Sequence, residues 1–351
     1  MAKATKTNEP SMRQQDEIVI IEDPVLAARN NPDVLLGAIG NLGFMNGIRE
    51  IVQNSLDQIA KGNSIDKDVM VSYDARNHGV IVEDNGQGIP LDKLVDVFAK
   101  LHSSSNYNKK AGSGYTAGKN GIGGSITNYV SKFFIVDSYR MDGTAGRVEF
   151  KEGHVTPKGL QIIKCPPGKH GLKTFFAPSE MMGEITVDDQ QVARMLWEQC
   201  LIYSIGTRII YHGISPMGEK RKAVYVNNRG IYEMLETICE KPLFEPIYFS
   251  NDNGTMAFEC LFTYDLQNMT DPIIMAFANM CHVSEIESKH VVAFINALSQ
   301  YLRKYMNEIY LAGNKKLQVN LQDIKTGLRA IVICKHIHPL FTGFFIVAHL
   351  L

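Results

Sequence analysis

The sequence predicts an α+β fold in two units, the first built on a mostly antiparallel sheet. Helical and strand-like segments are mixed rather than strictly alternating, which argues against a doubly wound parallel sheet. Turn signals such as "DARNHG" and "EDNGQG" separate short apolar strands. A further block of strands flanks one long helical run, "KHVVAFINALSQYLRKYMNEIYL". At 351 residues the chain is long enough for two cores.

Taken in order, the start "MAKATKTNEPSMRQQDE" is polar, and residues 1–24 read as a flexible arm. The first unit is expected over 25–222. It opens with a helix over 44–60, followed by the strands "DVMVSYDA" and "GVIVED", the turn "NGQGIP" and a helix "LDKLVDVFAKL". A polar stretch over 103–124, rich in Gly, Ser, Asn and Lys, has the length of a functional loop. "SITNYVSKFF" reads as a helix, "FFIVDSYRMDG" as a strand and turn, and "LKTFFAP" as a strand. A helix "DDQQVARMLWEQCLIYSI" and a strand "TRIIYHG" close the unit. The second unit, expected over 223–351, starts near "KAVYVNNRGIYEML". It contains the strands "EPIYFSN", "TMAFECLFTY" and "RAIVICKHIH" and the long helix.

Composition excludes several classes. The chain is 45% hydrophobic and 21% charged with a net charge of −1, so no global charge points to nucleic acid, although a local basic surface is compatible with it. No apolar run approaches the roughly 20 residues of a membrane span, and the N-terminus lacks a secretory apolar region. Six scattered cysteines without a CxxC pair read as reduced thiols, so a cytoplasmic location is expected (the host cytoplasm for a phage protein). His336 and His338 lie two apart on a strand; with no third ligand in view they read as a strand face rather than a metal site.

The candidate chemistry begins in "IREIVQNSLDQIAKG". At about 100° per residue, Glu50, Asn54 and Asp57 fall within about 60° of one another, opposite a broad apolar face of Phe44, Met45, Ile48, Ile51, Val52, Leu56 and Ile59. A solvated face is the ordinary reading of such a stripe. Asn54 weighs against it, being a poor helix former at mid-helix. "VIVEDNGQGIP" then runs from a strand straight into Asp84, Gly86 and Gly88, where a backbone can approach a ligand closely. "TAGKNGIGGSITN" places Gly118, Gly121, Gly123 and Gly124 before a helix with Ser125 near its start, and Lys119 adds positive charge. This is a pattern for an anion site. It is neither a Walker A loop nor a dinucleotide fingerprint, since Asn120 follows Lys119 and no parallel βαβ unit surrounds it.

In order, these pieces are Glu-x3-Asn-x2-Asp on a helix, Asp-x-Gly-x-Gly, Gly-x2-Gly-x-Gly before a helix, and "GLKTFF" on a strand. Together they resemble the Bergerat (GHKL) nucleotide fold shared by gyrase, Hsp90, histidine kinases and MutL. Within that superfamily, "LHSSSNYNKKAGSGYTAGKNGIGGSITNYVSKFF" is similar to the ATP lid of type IIA DNA topoisomerases, and "LQDIKTGLRAIVICKHIHPLFTG" to the end of their transducer domain. The resemblance covers roughly residues 25–343. It implies a Bergerat-fold ATPase sandwich, a mixed sheet covered by helices, followed by a transducer of the ribosomal S5 domain 2-like α+β type.

The resemblance also implies roles. Glu50 would be the general base for water attack on the γ-phosphate, and Asn54 the Mg²⁺ ligand. Asp84 would accept from the adenine amino group, with Gly86, Gly88 and Ile89 around it and Thr174 beside the base. Asp57 would support the pocket. Ser104, Ser105 and Asn106 would touch ribose and phosphates, and Gly118, Lys119, Asn120, Gly121, Ile122 and Gly123 would wrap the phosphates. The implied ligands are ATP and Mg²⁺. The implied partners are double-stranded DNA, a second copy in an ATP-dependent homodimer, and a separate or downstream Toprim-containing cleavage subunit; no membrane is implied. The implied activity is that of an ATP-operated dimer gate for strand passage. The alternatives are another GHKL clamp, MutL-like or Hsp90-like, or a nucleotide clamp with little turnover.

Departures qualify the match. Gln53 stands where gyrase-type proteins carry Asp, and Gln87 where bacterial gyrases carry Arg. Residues 284–289 replace a Gly-Gly pair. After "PLFTG" comes "FFIVAHLL" instead of the family's Gln-Thr/Ser-Lys, whose lysine reaches the γ-phosphate, so either a truncated segment or weakened γ-phosphate sensing with slow hydrolysis is expected. No acidic Glu…Asp-x-Asp cluster or cleavage tyrosine region is present, so this chain alone is not expected to cut DNA.

Overall fold

The computed structural model describes residues 23–31, 38–62, 66–101, 122–284, 288–310 and 319–336, together with the backbone of strands at 340–342 and 345–347. Helix α1 (Pro24–Asn30) is started by Asp23, whose carboxylate accepts from Val25 N at 2.9 Å, and by a proline in its first turn. Arg29 ties α1 to the first unit by donating to Tyr129 O at 2.8 Å.

Helix α2 (Gly40–Ala60) lays its apolar face on strands β1 (Asp68–Asp74) and β2 (Gly79–Asp84). The strands show the period-2 burial of a sheet with one covered face: Val69, Val71 and Tyr73 on β1, and Val80, Val82 and Asp84 on β2. Ile48, Val52 and Leu56 of α2 are fully buried among them. Helix α3 (Leu91–Ala99) and the short α4 (Gly123–Tyr129) follow. The helix expected across "SITNYVSKFF" ends at Tyr129, because the next residues enter strand β3 (Ser131–Tyr139), where Phe134 and Val136 alternate into the core. Strands β4 (Ala145–Lys151), β5 (His154–Val155), β6 (Gln161–Ile162) and β7 (Gly171–Pro178) complete the antiparallel part. Helix α5 (Asp189–Ile202) starts in a full capping box of Asp188 and Gln191. It returns the chain to β8 (Arg208–Ile214), parallel to β1, and then to β9 (Lys220–Val226).

The first sheet runs β5-β4-β3-β7-β2-β1-β8-β9, with β6 paired to β4, and only the β1–β8 contact is parallel among its described pairs. The expected mostly antiparallel sheet is therefore found. The unit boundary placed after residue 222 falls inside β9, whose pairing with β8 carries the first sheet to Val226.

Helix α6 (Ile231–Ile238) leads into a five-stranded sheet of order β10-β11-β14-β12-β13, made of β10 (Ile247–Asp252), β11 (Met256–Tyr264), β12 (Ile273–Ala278), β13 (Cys281–Val283) and β14 (Leu328–His336). Strand β14 is central, and its stretch from Ala330 to Cys334 is continuously apolar because both faces are covered. Ala330 and Val332 pack with Val291 and Phe294 of helix α7 (Lys289–Tyr305). Ile331 and Ile333 join the same core as Leu196 and Cys200 of α5, so one core runs from the first unit into the second. The long helix expected to Leu311 changes to a π turn at Met306–Tyr310. Helix α8 (Leu321–Lys325) precedes β14, and β15 (Leu340–Thr342) pairs with β16 (Phe345–Val347). All six cysteines are free thiols.

Candidate functional site

The polar stripe of α2 faces the start of α4. Gly123 is packed against Glu50, so that a Cβ added there would meet the carboxylate and displace it. Asn54 Nδ2 lies 3.7 Å from where a Cβ on Gly124 would sit. Glu50 and Asn54 therefore meet the end of the Gly-rich stretch, with Ile122 as the residue capping α4. Asn54 is exposed, while Glu50 is half-buried in the cleft between the two helices. Burial pushes the Glu50 carboxyl up to about 7, with the Arg49 charge opposing and the Asp57 charge adding to the rise.

Asp84 ends β2 on the helix-covered face and is 3% exposed. Its Oδ2 accepts from Ser55 Oγ at 2.7 Å; its Oδ1 accepts from Gly86 N at 2.8 Å and Leu172 N at 3.2 Å. Burial raises its pKa, and these three donors oppose the rise. A carboxylate offers about four acceptor positions, so a fixed and oriented position remains for one more donor. Thr174 is buried on β7, opposite Val82 in the register, and so shares the face of Asp84.

The turn after Asp84 is clamped from the end of β3, across β7. Ile89 N donates to Ser138 Oγ at 2.8 Å, and Ser138 Oγ donates back to Ile89 O at 2.8 Å. Arg140 Nη1 donates to the carbonyls of Gln87 at 2.8 Å and Gly88 at 2.7 Å. Gly88 has φ +66° and lies against the Tyr139 carbonyl, so a side chain there would be both strained and obstructed. His170 Nδ1 lies 3.0 Å from Gly86 O, and Gly171, with φ +106°, lies against the Asp84 carbonyl.

Two side chains at the margin of the site are tied into the fold. Asp57 is 4% exposed and its Oδ1 accepts from the buried Tyr203 hydroxyl at 3.1 Å, which places it beneath the site rather than on its open side. Ser125 donates to the carbonyls of Val97 at 3.1 Å and Lys100 at 2.7 Å, so its hydroxyl anchors α4 to α3 instead of lining an anion site. Ser104, Ser105, Asn106, Gly118, Lys119, Asn120 and Gly121 lie outside the described residues. Sequence reasoning missed Ser55, Ser138, Arg140 and His170, and held Gly171 only as the first residue of "GLKTFF". Only Ser55 carries a local signal, as a small polar residue buried in mid-helix.

Among the described residues no cluster of three or more His, Cys, Asp or Glu could hold a metal by itself. A lone exposed amide such as Asn54 fits Mg²⁺ only in the manner of ions that draw their other ligands from phosphate and water. The arrangement suits a nucleotide: an acceptor fixed at the end of β2, a carboxyl held near neutrality, and glycine backbone beside both Glu50 and Asn54. No helix among the described residues is long and apolar enough to cross a membrane.

Comparison with known proteins agrees with this geometry. Residues 43–154 match the family described as histidine kinase-, DNA gyrase B-, and HSP90-like ATPase, and residues 230–343 match the DNA gyrase B family. The chain is 26% identical over 331 residues to the DNA gyrase B protein of Thermus thermophilus, covering 90% of this chain and 50% of the relative. It is 28% identical over 327 residues to the B subunit of the type 2 topoisomerase of Aquifex aeolicus, with 90% and 40% covered. It is 24% identical over 336 residues to the B subunit of DNA topoisomerase 4 of Staphylococcus aureus, with 93% and 49% covered. The chain thus spans about half the length of these relatives. The fold matches the 43K ATPase domain of Thermus thermophilus gyrase B solved with an aminocoumarin (TM-score 0.69, 24% identity, 93% of this chain and 85% of that one). It also matches the ATPase region of Saccharomyces cerevisiae topoisomerase II (TM-score 0.69, 17% identity, 95% and 90%). With both units matched in order, the chain is homologous to the ATPase region of the gyrase B and topoisomerase IV B proteins.

Proposed function

We propose that this chain binds and hydrolyses ATP as the gate module of a type II DNA topoisomerase, closing as a dimer around double-stranded DNA in company with a Toprim-containing cleavage subunit. The unit boundaries proposed are an ATPase unit from about residue 25 and a transducer unit after β9.

The observation that carries the reading is the convergence on α2. Glu50 and Asn54 face the glycine start of α4, and Ser55 of the same helix fixes the Asp84 carboxylate. Asp84 accepts from the adenine amino group and disfavours guanine, which presents a carbonyl at that edge. Thr174 borders the base. Glu50, with its pKa raised to about 7, takes the proton of the attacking water from its place beside Gly123. Mg²⁺, when bound, neutralises phosphate charge; Asn54 is the residue placed to ligate it through its amide oxygen. Ser104, Ser105, Asn106 and the run from Gly118 to Gly121 are assigned to ribose and phosphate on the resemblance alone, and Asp57 to support of the pocket floor.

The test is Glu50→Ala in an ATPase assay with and without duplex DNA, beside calorimetry with ATP. The expected result is retained ATP binding with turnover lower by about 10²–10⁴-fold. Parental turnover in the variant would remove Glu50 from the mechanism. ATP hydrolysis indifferent to DNA would favour a clamp of the MutL or Hsp90 type.

A further inference from the structure

Gln53 lies one turn after Glu50 and directly before Asn54, yet it does not face the site. It is 2% exposed, and its Nε2 donates to Gln199 Oε1 of α5 at 2.8 Å and to Met280 O at 3.2 Å. Gln199 Nε2 also donates to Met280 O, at 2.9 Å. One carbonyl of the second unit thus accepts from two side-chain amides of the first.

That carbonyl sits on a stiff element. Asn279 and Met280 form the two-residue turn between β12 and β13, closed by the Ala278–Cys281 pair, with φ of 44° and 68°. Asn279 holds the turn to β14, its Nδ2 donating to His336 O at 2.8 Å and its Oδ1 accepting from His336 N at 2.7 Å. Beside the turn, His282 Nδ1 lies 3.6 Å from Glu198 Oε2, and Arg194 Nε donates to Glu198 Oε1 at 3.1 Å. The joint therefore connects the nucleotide helix, α5 and the central strand of the second sheet.

The Gln53 Oε1 atom is buried without a hydrogen-bond partner. An orphaned buried carbonyl is destabilising, and an apolar side chain of like volume would fill the space without it. Packing alone therefore does not account for a glutamine here. We propose that Gln53 is a positioning residue: its amide locks the helix carrying Glu50 and Asn54 to the Met280 turn, so that occupancy of the nucleotide site and the setting of the second unit are coupled through this contact. The inference rests on the nucleotide reading of the site.

The test uses the full chain. Binding of a non-hydrolysable ATP analogue with Mg²⁺ is measured by calorimetry, kcat and KM by ATPase assay, and hydrogen exchange over residues 277–283 with and without the analogue. In the parent, the analogue should slow exchange across the turn several-fold although the turn lies in the other unit. In Gln53→Ala the analogue's Kd should stay within about threefold, kcat should fall about tenfold as Glu50 loses its fixed placement, and the turn's response should vanish. Gln53→Met, which keeps the volume and removes the donated bonds to Met280 O and Gln199, should behave alike and replaces Gln53→Ala should that variant fail to fold. Parental kcat and a parental exchange response in the variants would overturn the proposal, as would a parent that binds the analogue with no response in the turn. A parent that binds no analogue would instead refute the nucleotide reading itself.

Discussion

Replacing Glu50 by glutamine should stabilise the protein at pH 8 and leave it unchanged near pH 4. Burial raises this carboxyl from 4.5 to about 7, so the folded chain holds a proton that the unfolded chain releases from about pH 4.5 upward. Between these values the native state binds more protons, and stability falls with rising pH. At about 1.36 kcal/mol per pH unit, the cost of ionising Glu50 in place reaches about 3 kcal/mol above pH 7. The glutamine of the variant carries no charge to desolvate and so escapes this cost. For a unit of 150–250 residues that corresponds to a Tm higher by roughly 6–12 °C at pH 8. Scanning calorimetry of parent and Glu50→Gln from pH 4 to pH 8 reads it directly. An equal Tm difference at both ends of the range would refute desolvation of the carboxylate as the cause. The same ionisation should appear in the parent as kcat/KM rising through about pH 7, because the base acts only when deprotonated.

Other expectations follow from the same geometry. Asp84→Asn should weaken ATP binding by about 1–3 kcal/mol, because an amide can turn its NH2 toward the adenine amino group; calorimetry with ATP and GTP measures the lost preference. Asn54→Ala should lower affinity for the analogue in Mg²⁺ more than in EDTA, and equal losses in both buffers would remove it as a metal ligand. The chain should be monomeric without nucleotide and dimeric with a non-hydrolysable ATP analogue, read by light scattering. A monomer under both conditions, in a chain shown to bind the analogue, would refute the gate reading.

How much of this was legible in the sequence depends on how local each contact is. Glu50 and Asn54 are four residues apart on one helix, and Asp84, Gly86 and Gly88 follow one another within five, so each group is local in the sequence, while their joint reading as one site came from the family resemblance. The clamps on the Asp84 turn come from Ser138, Arg140, His170 and Leu172, which lie 49 to 88 positions from their partners. No periodicity reports such pairs. Asp57 shows the limit of helical angles: it lies near Glu50 in projection but two turns further along, where Tyr203 reaches it. Strand β9 is mostly exposed and reads locally like an opening strand; only its pairing with β8, a contact the sequence does not report, ties it to the first sheet.

The four residues from Gln53 to Leu56 show why one helix can govern the whole site. Successive side chains on a helix diverge by about 100°, so four in a row address four surroundings. Gln53 reaches the second unit, Asn54 faces the start of α4, Ser55 holds Asp84, and Leu56 is fully buried in the core. A displacement of α2 cannot alter one of these contacts alone. It must move Glu50, Asn54 and the support of Asp84 together, because they share one helix whose apolar face packs on β1 and β2. Substitutions at the Met280 turn should therefore reach ATP turnover without touching the nucleotide, and they should do so through placement of Glu50 rather than through affinity.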